Sequence, residues 1–507
     1  MFKNTAIVTL FLILSSVLGF FAQIVYASLF GASFEMDIYF KLLSIPAIIT
    51  GMAPIVFTSV LLPNFAKLKS NELQLKLFIH SLWSYILLFS LLFIMVGCFF
   101  TFYNIDFFIT NLPEIYRSTA IQVSLMVWIG SGISIISSFL AAVLNYNKKF
   151  IKVAWTSILP ATLMIIMVLM FHKYMGVRSL SFGLLLASLS QFIIFFIAVI
   201  PNFSANKLVF NRILNYKHLL TQTFFVILSL LPFTVFVPIG YYWASLLTEG
   251  SVSYLGYSQS FAGFLSVATG MGIAIVSFPD LAIDFANGNG EMALFKFEIT
   301  LRYVLMISIF AAAAFIVLRI PIITLFYQHG TFTHESVLKL STVIPWYLGA
   351  AVFIAGLNLL RTLFYSKGEY KKIAILGVLI PLVYFILAGF LKDLFLIVGI
   401  GIANAISFAL LFYFSIILIR VNNKKFLSLD FLFFIIKNII TSILTGLVIS
   451  YCFIMVSDFI SQISAITICL IFFTIVYFLI SKFVMQLNEV REIEKILIIK
   501  FKAIRKK

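Results

Sequence analysis

The chain has 507 residues, 63% of them hydrophobic and only 10% charged, with a net charge of +17 and a mean hydropathy of +1.14. Soluble domains carry about 25% charged residues, so a soluble fold is excluded and an all-α polytopic membrane protein is implied. Nucleic-acid binding would need a basic folded face with stacking aromatics, and the sequence offers none.

A helix needs about 20 apolar residues to cross the hydrocarbon core. Fourteen spans are predicted on that rule, near 5–28, 37–62, 77–102, 118–145, 151–171, 178–200, 219–247, 253–279, 300–326, 340–364, 373–391, 394–419, 431–456 and 460–483. The first run, from Thr5 to about Ser28, is too long for the core of a signal peptide and lacks a cleavage site, so it reads as a retained membrane helix. The many phenylalanines read as lipid-facing and packing residues.

The chain says nearly the same thing twice. Tyr146, Lys149, Lys152 and Pro160 have counterparts in Tyr365, Lys367, Lys371 and Pro381; Ala27-Ser28-Leu29 answers to Ala244-Ser245-Leu246, Thr50-Gly51-Met52 to Thr269-Gly270-Met271, and Pro63 to Pro279. These pairs lie 216–221 residues apart. The expected domains are therefore an N-terminal six-helix lobe (1–200), a C-terminal six-helix lobe (201–420), two additional helices (421–484) and a basic cytoplasmic tail (485–507). A doubled bundle of this kind is the usual construction of an alternating-access transporter, with substrate held where the halves meet.

Loop charges give the orientation. With the amino terminus inside, the even-numbered loops hold 19 cations, among them Lys148, Lys149, Lys152, Lys207, Arg212, Arg302, Arg361, Lys424 and Lys425. The odd-numbered loops hold 6: Arg117, Lys173, Arg178, Arg319, Lys339 and Lys392. That asymmetry places both termini in the cytoplasm. From Lys482 onward the tail adds eight cations among three glutamates, and Val490, Ile493, Ile496 and Leu497 suggest an amphipathic helix drawn to anionic membrane lipids. The net charge is thus a matter of topology.

Catalytic chemistry is hard to find. Cys98, Cys452 and Cys469 sit in separate apolar runs, and the five histidines lack metal-ligand spacing with Cys or Glu. Neither a metal nor another cofactor is expected, and the protein does not read as an enzyme. No ladder of buried Asp or Glu suggests a proton relay. The exception to this charge poverty is Asp37 and Lys41, four apart on one face of span two. They read either as an ion pair near the interface or as a cation at the mouth of a cavity that touches an anionic substrate. Pro46, Gly51 and Pro54 interrupt span two, and Gly263, Gly270 and Gly272 interrupt span eight; Pro160 and Pro381 bend spans five and eleven. Pro46, Gly51, Pro54, Gly270 and Gly272 are candidate hinges for rocking helices, with helix packing as the alternative for each glycine.

Several stretches resemble one family. Ser15-Ser16-Val17-Leu18-Gly19-Phe20, Phe30-Gly31-Ala32 and Asp37 open the match. Leu62-Pro63, Leu144-Asn145 with Lys149-Phe150, Ala244-Ser245-Leu246-Leu247 and Glu249-Gly250-Ser251-Val252-Ser253 follow in the same order. Leu325-Phe326, Gly330, Phe332-Thr333 and Phe364-Tyr365-Ser366 complete it, over roughly residues 5–420. The order resembles the MurJ (MviN) family, lipid II flippases of the multidrug/oligosaccharidyl-lipid/polysaccharide (MOP) exporter superfamily. The resemblance implies peptidoglycan biosynthesis, an inner-membrane location, cavity cations that hold a diphosphate head, and extra helices that form a groove for a polyprenyl tail. The chain departs from it where charge matters. Ser16 stands where the family has Arg, Ala22-Gln23 for its Arg-Asp, Thr50-Gly51 for its arginines, and Tyr257-Ser258-Gln259-Ser260 for its Tyr-Ala-Asp-Arg.

Two accounts fit. A divergent paralogue would move another polyprenyl-diphosphate-linked saccharide, for O-antigen, capsule or exopolysaccharide, through a polar uncharged cavity of Ser16, Gln23, Thr50, Gln259 and Ser260, with Lys41 on the diphosphate. Alternatively, the chain flips lipid II with repositioned cations. A multidrug or organic-cation antiporter would want acidic cavity residues that this chain lacks. A non-transporting scaffold that partners the cell-envelope synthesis machinery is the third reading.

Overall fold

The computed structural model describes residues 2–109, 112–199, 216–271, 289–420, 429–457, 461–487 and 489. They form helices without strands. The first repeat contains α1 (Phe2–Phe30), α2 (Phe34–Val56), α3 (Leu62–Lys67), α4 (Glu72–Tyr103), α5 (Glu114–Tyr146), α6 (Phe150–Thr156), α7 (Leu159–Met175) and α8 (Arg178–Val199). The second contains α9 (Tyr216–Ala244), α10 (Ser251–Ser266), α11 (Gly290–Val317), α12 (Arg319–Tyr327), α13 (His334–Ser366) and α14 (Tyr370–Arg420). Two further helices follow, α15 (Leu429–Ser457) and α16 (Gln462–Leu479). Helix starts coincide with side-chain acceptors: Ser33, Asn71, Thr333 and Ser461 each accept a backbone N–H three residues on.

Among the described residues, twelve helices are long and apolar enough to cross a membrane. The fourteen expected spans reconcile with these twelve in two places. α14 runs for 51 residues, about 77 Å at 1.5 Å per residue, which is more than two bilayer cores. Its helical geometry breaks at Leu396 (φ 52, ψ −134), so one element holds the expected spans 373–391 and 394–419. Span eight begins as α10 and continues in a π-helical turn, Val267–Met271, where the described residues stop. Gly272, Pro279, Lys207, Arg212, Lys424, Lys425 and the tail from residue 490 lie outside them. Span nine is displaced from the expected 300–326. α11 starts at Gly290 because Glu291, Lys296, Glu298 and Arg302 continue the helix beyond its apolar stretch, and it stops at Leu318 (φ −95, ψ 19). A helix ends where its hydrogen bonds end, and long charged side chains let its end leave the hydrocarbon.

The internal repeat is written in the backbone. Gly31 and Gly250 (φ 64 and 83) are 219 residues apart; Lys148 and Gly368 (φ 60 and 68) and Gly176 and Leu396 (φ 54 and 52) are each 220 apart. Gly176 and Leu396 also share ψ, at −139 and −134. α5 and α13 both have 33 residues and start 220 apart. Each closes with the same pair of bonds, Asn147 N–H to Val143 O and Lys149 N–H to Leu144 O, matched by Lys367 to Leu363 and Glu369 to Phe364. This is the left-handed helix stop that satisfies two orphan carbonyls.

The chain divides into two compact units, one of Met1–Tyr257, His329–Phe332 and Tyr370–Ala403, the other of Ser258–Gln328, Thr333–Glu369 and Asn404–Lys507. One core of the first unit gathers Leu61, Phe65, Phe78, Trp83, Phe139 and Leu144. Phe65 meets Phe78 and Tyr146 edge-on at 5.9 and 5.4 Å, a preferred aromatic geometry. In the second unit, Arg302 donates to Glu298 and Glu489 at 2.9 and 3.0 Å and lies over the rings of Phe431 and Phe434. That clamp ties α11 to the start of α15 and to the segment after α16.

Leu396 holds a backbone region that is nearly glycine-only, at a cost of about 1–3 kcal/mol, and its side chain is exposed. Leu396→Gly should therefore stabilise the purified protein by about 1 kcal/mol, whereas Gly176→Leu should destabilise it by at least as much. Thermal unfolding in detergent reads both, and an unchanged transition in both variants would remove the strain argument.

Candidate substrate-handling site

The first turn of a helix leaves backbone N–H groups without intrahelical partners, and where water is scarce they need acceptors from elsewhere. Two such helix starts meet in the first unit. At α2, the Ser33 hydroxyl accepts from Met36 N–H at 3.4 Å, and Phe34 N–H donates to Glu249 Oε1 at 2.9 Å. At α10 the flanking residue is Gly250, which has no side chain to offer. Asp37 of α2 supplies the acceptors instead. Its Oδ2 takes Gly250 N–H at 2.8 Å, and its Oδ1 takes Ser253 N–H at 2.7 Å and the Ser253 hydroxyl at 2.5 Å. A carboxylate at a helix N-terminus also meets the favourable end of the helix dipole. Gly250 is required twice over: its φ is +83, and a Cβ there would lie 2.5 Å from the Ala32 carbonyl oxygen.

Lys41 lies one turn beyond Asp37 and is 7% exposed. Its Nζ donates to Ser245 Oγ at 2.7 Å. Asp37, Lys41, Ser245 and Glu249 line a cavity of about 120 Å³ whose remaining wall includes Phe34 and Thr248, room for about four waters at ~30 Å³ each. Beside it, Phe40 packs edge-on against Tyr257, whose hydroxyl donates to Gly31 O at 2.6 Å. The turn after α12 closes over the end of α1: Thr331 N–H donates to Ser28 O at 2.9 Å, Phe332 is buried against Tyr257, and a Cβ on Gly330 would lie 2.1 Å from Ser28 O. One ammonium and two carboxylates thus share a mostly apolar setting, held largely through backbone groups.

The other expected site residues are spread along the helices. Ser16 and Gln23 are half-buried on α1, and the buried Oε1 of Gln23 has no hydrogen-bond partner. Thr50 is half-buried and donates to Pro46 O at 3.4 Å. Gln259 and Ser260 are half-buried on α10, in the stretch that belongs to the second unit. Pro46 is buried, while Gly51 and Pro54 are exposed. A π-helical turn, Phe57–Leu61, follows Pro54, matching in kind the one that contains Gly270; such turns mark irregular, deformable helix geometry. Gly270 is also a packing glycine, since a Cβ there would meet Ala355 Cα at 2.8 Å.

Sequence reasoning missed the roles of Glu249, Gly250, Ser253 and Ser245. Their motif was visible, but the partners of Asp37 are mainly backbone N–H groups, which no residue pattern announces. It also counted Arg302 and Arg361 among loop cations. Both lie inside helices, and Arg361 donates to Asn358 Oδ1 at 3.2 Å on α13.

A family model described as lipid II flippase MurJ matches residues 26–479. The chain belongs to the MurJ family. It is 25% identical over 389 residues to a probable lipid II flippase MurJ of Buchnera aphidicola from Acyrthosiphon pisum, covering 72% of this chain and 73% of that protein. A probable lipid II flippase MurJ of Borreliella burgdorferi is 24% identical over 451 residues, covering 86% and 87%. Among solved structures, a lipid II flippase MurJ in an inward closed conformation superposes with a TM-score of 0.77 at 20% identity, covering 94% of this chain and 98% of that one. An inward-facing multidrug resistance MATE family transporter of the MOP superfamily reaches 0.62 at 15% identity, covering 81% and 96%. The MurJ architecture includes two helices beyond the repeats, and here α15 borders an apolar groove of about 600 Å³ with α11 and α13.

Asp37→Ala would leave the Gly250 and Ser253 N–H groups without their acceptors, a loss of about 1–3 kcal/mol. Hydrogen exchange across 248–254 should then rise by roughly tenfold or more, since each 1.4 kcal/mol is a factor of ten. Wild-type exchange rates in the variant would mean that the carboxylate does not cap α10.

Proposed function

We propose that this protein is a flippase that carries a polyprenyl-diphosphate-linked saccharide across the cytoplasmic membrane by alternating access, with both termini in the cytoplasm. The observation that carries this reading is the MurJ family match over residues 26–479, and the contact between α2 and the α9–α10 turn gives it a mechanism. By the loop-charge reading, that contact lies at the outer side. The hydrogen bonds of Asp37 and Glu249 to opposing helix starts make a latch that can open without covalent change. The head group enters from the cytoplasm while the tail stays in lipid, the latch releases, and the head leaves outside. Lys41 exchanges the Ser245 hydroxyl for a phosphate oxygen, which offsets the cost of keeping an ammonium within the bilayer. Pro46, Gly51, Pro54 and the π-helical turns take up the bending. The drive comes from differential binding to the two states.

Lipid II is the substrate of the first reading. The second is a related O-antigen, capsule or exopolysaccharide precursor. It is favoured by the uncharged set Ser16, Gln23, Thr50, Gln259 and Ser260, and above all by the unpartnered Gln23 Oε1, an acceptor suited to a sugar hydroxyl.

Expression in cells depleted of their own lipid II flippase tests the substrate. Growth, with lipid II newly accessible outside, supports the first reading; a membrane-inserted protein that fails to rescue directs the assay to surface polysaccharide. In whichever assay responds, Lys41→Ala should lower translocation at least tenfold with normal protein levels. Full activity of that variant would remove Lys41 from the mechanism.

A further inference from the structure

The groove of the second unit has one polar end, and that end lacks a counter-charge. Its walls are α11, α13 and α15, represented by Ile309, Ala313, Val317, Gly349, Phe353 and Ile443. Arg319 is the single charged residue lining it. The guanidinium donates from Nη1 to Ile316 O at 3.0 Å, while its buried Nε has no partner. Among the described residues, no carboxylate lies within ion-pair distance of it. Arg319 also opens the nine-residue helix α12, whose first N–H groups and dipole favour an anion at the same place. A half-buried cation facing an apolar trench and a helix N-terminus is complementary to a lipid phosphate.

The dimensions narrow the choice. From Leu305 to Val317 the groove follows twelve residues of α11, about 18 Å at 1.5 Å per residue, close to the ~15 Å of one leaflet. That depth fits one acyl chain. A polyprenyl diphosphate brings a much longer tail and a second phosphate, for which the groove offers no second cation. The polar end also fixes the leaflet: by the loop-charge reading Arg319 is outside, so the groove takes a lipid whose head is already outside. We propose that the groove binds one outer-leaflet phospholipid with an anionic head, its phosphate on Arg319 and one acyl chain along α11, α13 and α15.

Native mass spectrometry of the full chain, purified in detergent and supplied with phosphatidylglycerol, tests this. Wild type should retain one such lipid, and Arg319→Gln should retain it at least tenfold less, with partial recovery in Arg319→Lys. Gly349→Leu keeps Arg319 but projects a side chain where nothing lies within 4 Å of a new Cβ. It should fill the trench without disturbing the fold and lower retention to the same degree. Retention unchanged in either Arg319→Gln or Gly349→Leu would overturn the proposal. So would displacement of phosphatidylglycerol by an equal concentration of undecaprenyl diphosphate, which would make the groove a polyprenyl site.

Discussion

A helix start at a membrane surface cannot leave its N–H groups to chance, and the face where α2 meets α10 is organised by that need. Each helix begins with donors that its own sequence does not fully satisfy, and each borrows a carboxylate from the other segment. The result joins the first repeat to the second through two short acidic side chains, Asp37 and Glu249. Because the acceptors address backbone rather than side chains, the junction tolerates wide sequence change around it. Only glycine at 250 and 330 and the two carboxylates are narrowly constrained. Hydrogen bonds of this kind are modest in net worth, which suits a contact that must open as well as hold.

The rest of the candidate site shows how little charge the bilayer part retains. Ser16, Gln23, Thr50, Gln259 and Ser260 are polar without being ionised, and their hydroxyls and amides cost less to keep in the bilayer than arginines would. Lys41 is held by a hydroxyl, a weak partner that a phosphate oxygen would outcompete. The stronger cation, Arg302, is spent on architecture, since its guanidinium is committed to two glutamates and two rings. Function and stability thus draw on different cations.

Much of the fold was legible because lipid is a demanding solvent. Apolar runs, loop cations and repeated landmarks led to fourteen spans and a doubled core, and the left-handed pairs refine the repeat to 219–220 residues. What escaped was conformation without a residue signature. Gly176 marks its turn in the sequence, but its counterpart is a leucine, so the break inside α14 had no glycine to announce it. Lys148 and Gly368 make the same point in the other direction. The site was half legible. Asp37 and Lys41 stand out as charges in an apolar run, yet their partners are amides and a serine hydroxyl brought in from more than 200 residues away. Gly270 could not be read as hinge or packing residue until Ala355 was seen against it.

The turn at Leu396 bears on how the protein enters the membrane. Two spans joined with almost no loop must insert together as a helical hairpin, and what the hairpin carries across at its tip is Lys392 and Asp393. These two are paired with each other, and the ammonium lies 5.2 Å from the centre of the Trp243 ring. A tip whose charges cancel is cheap to translocate and sends no orientation signal of its own. The direction of that hairpin is then dictated by the cations at its cytoplasmic ends, Lys371, Lys372 and Arg420, so biogenesis of the second repeat depends on residues that take no part in transport.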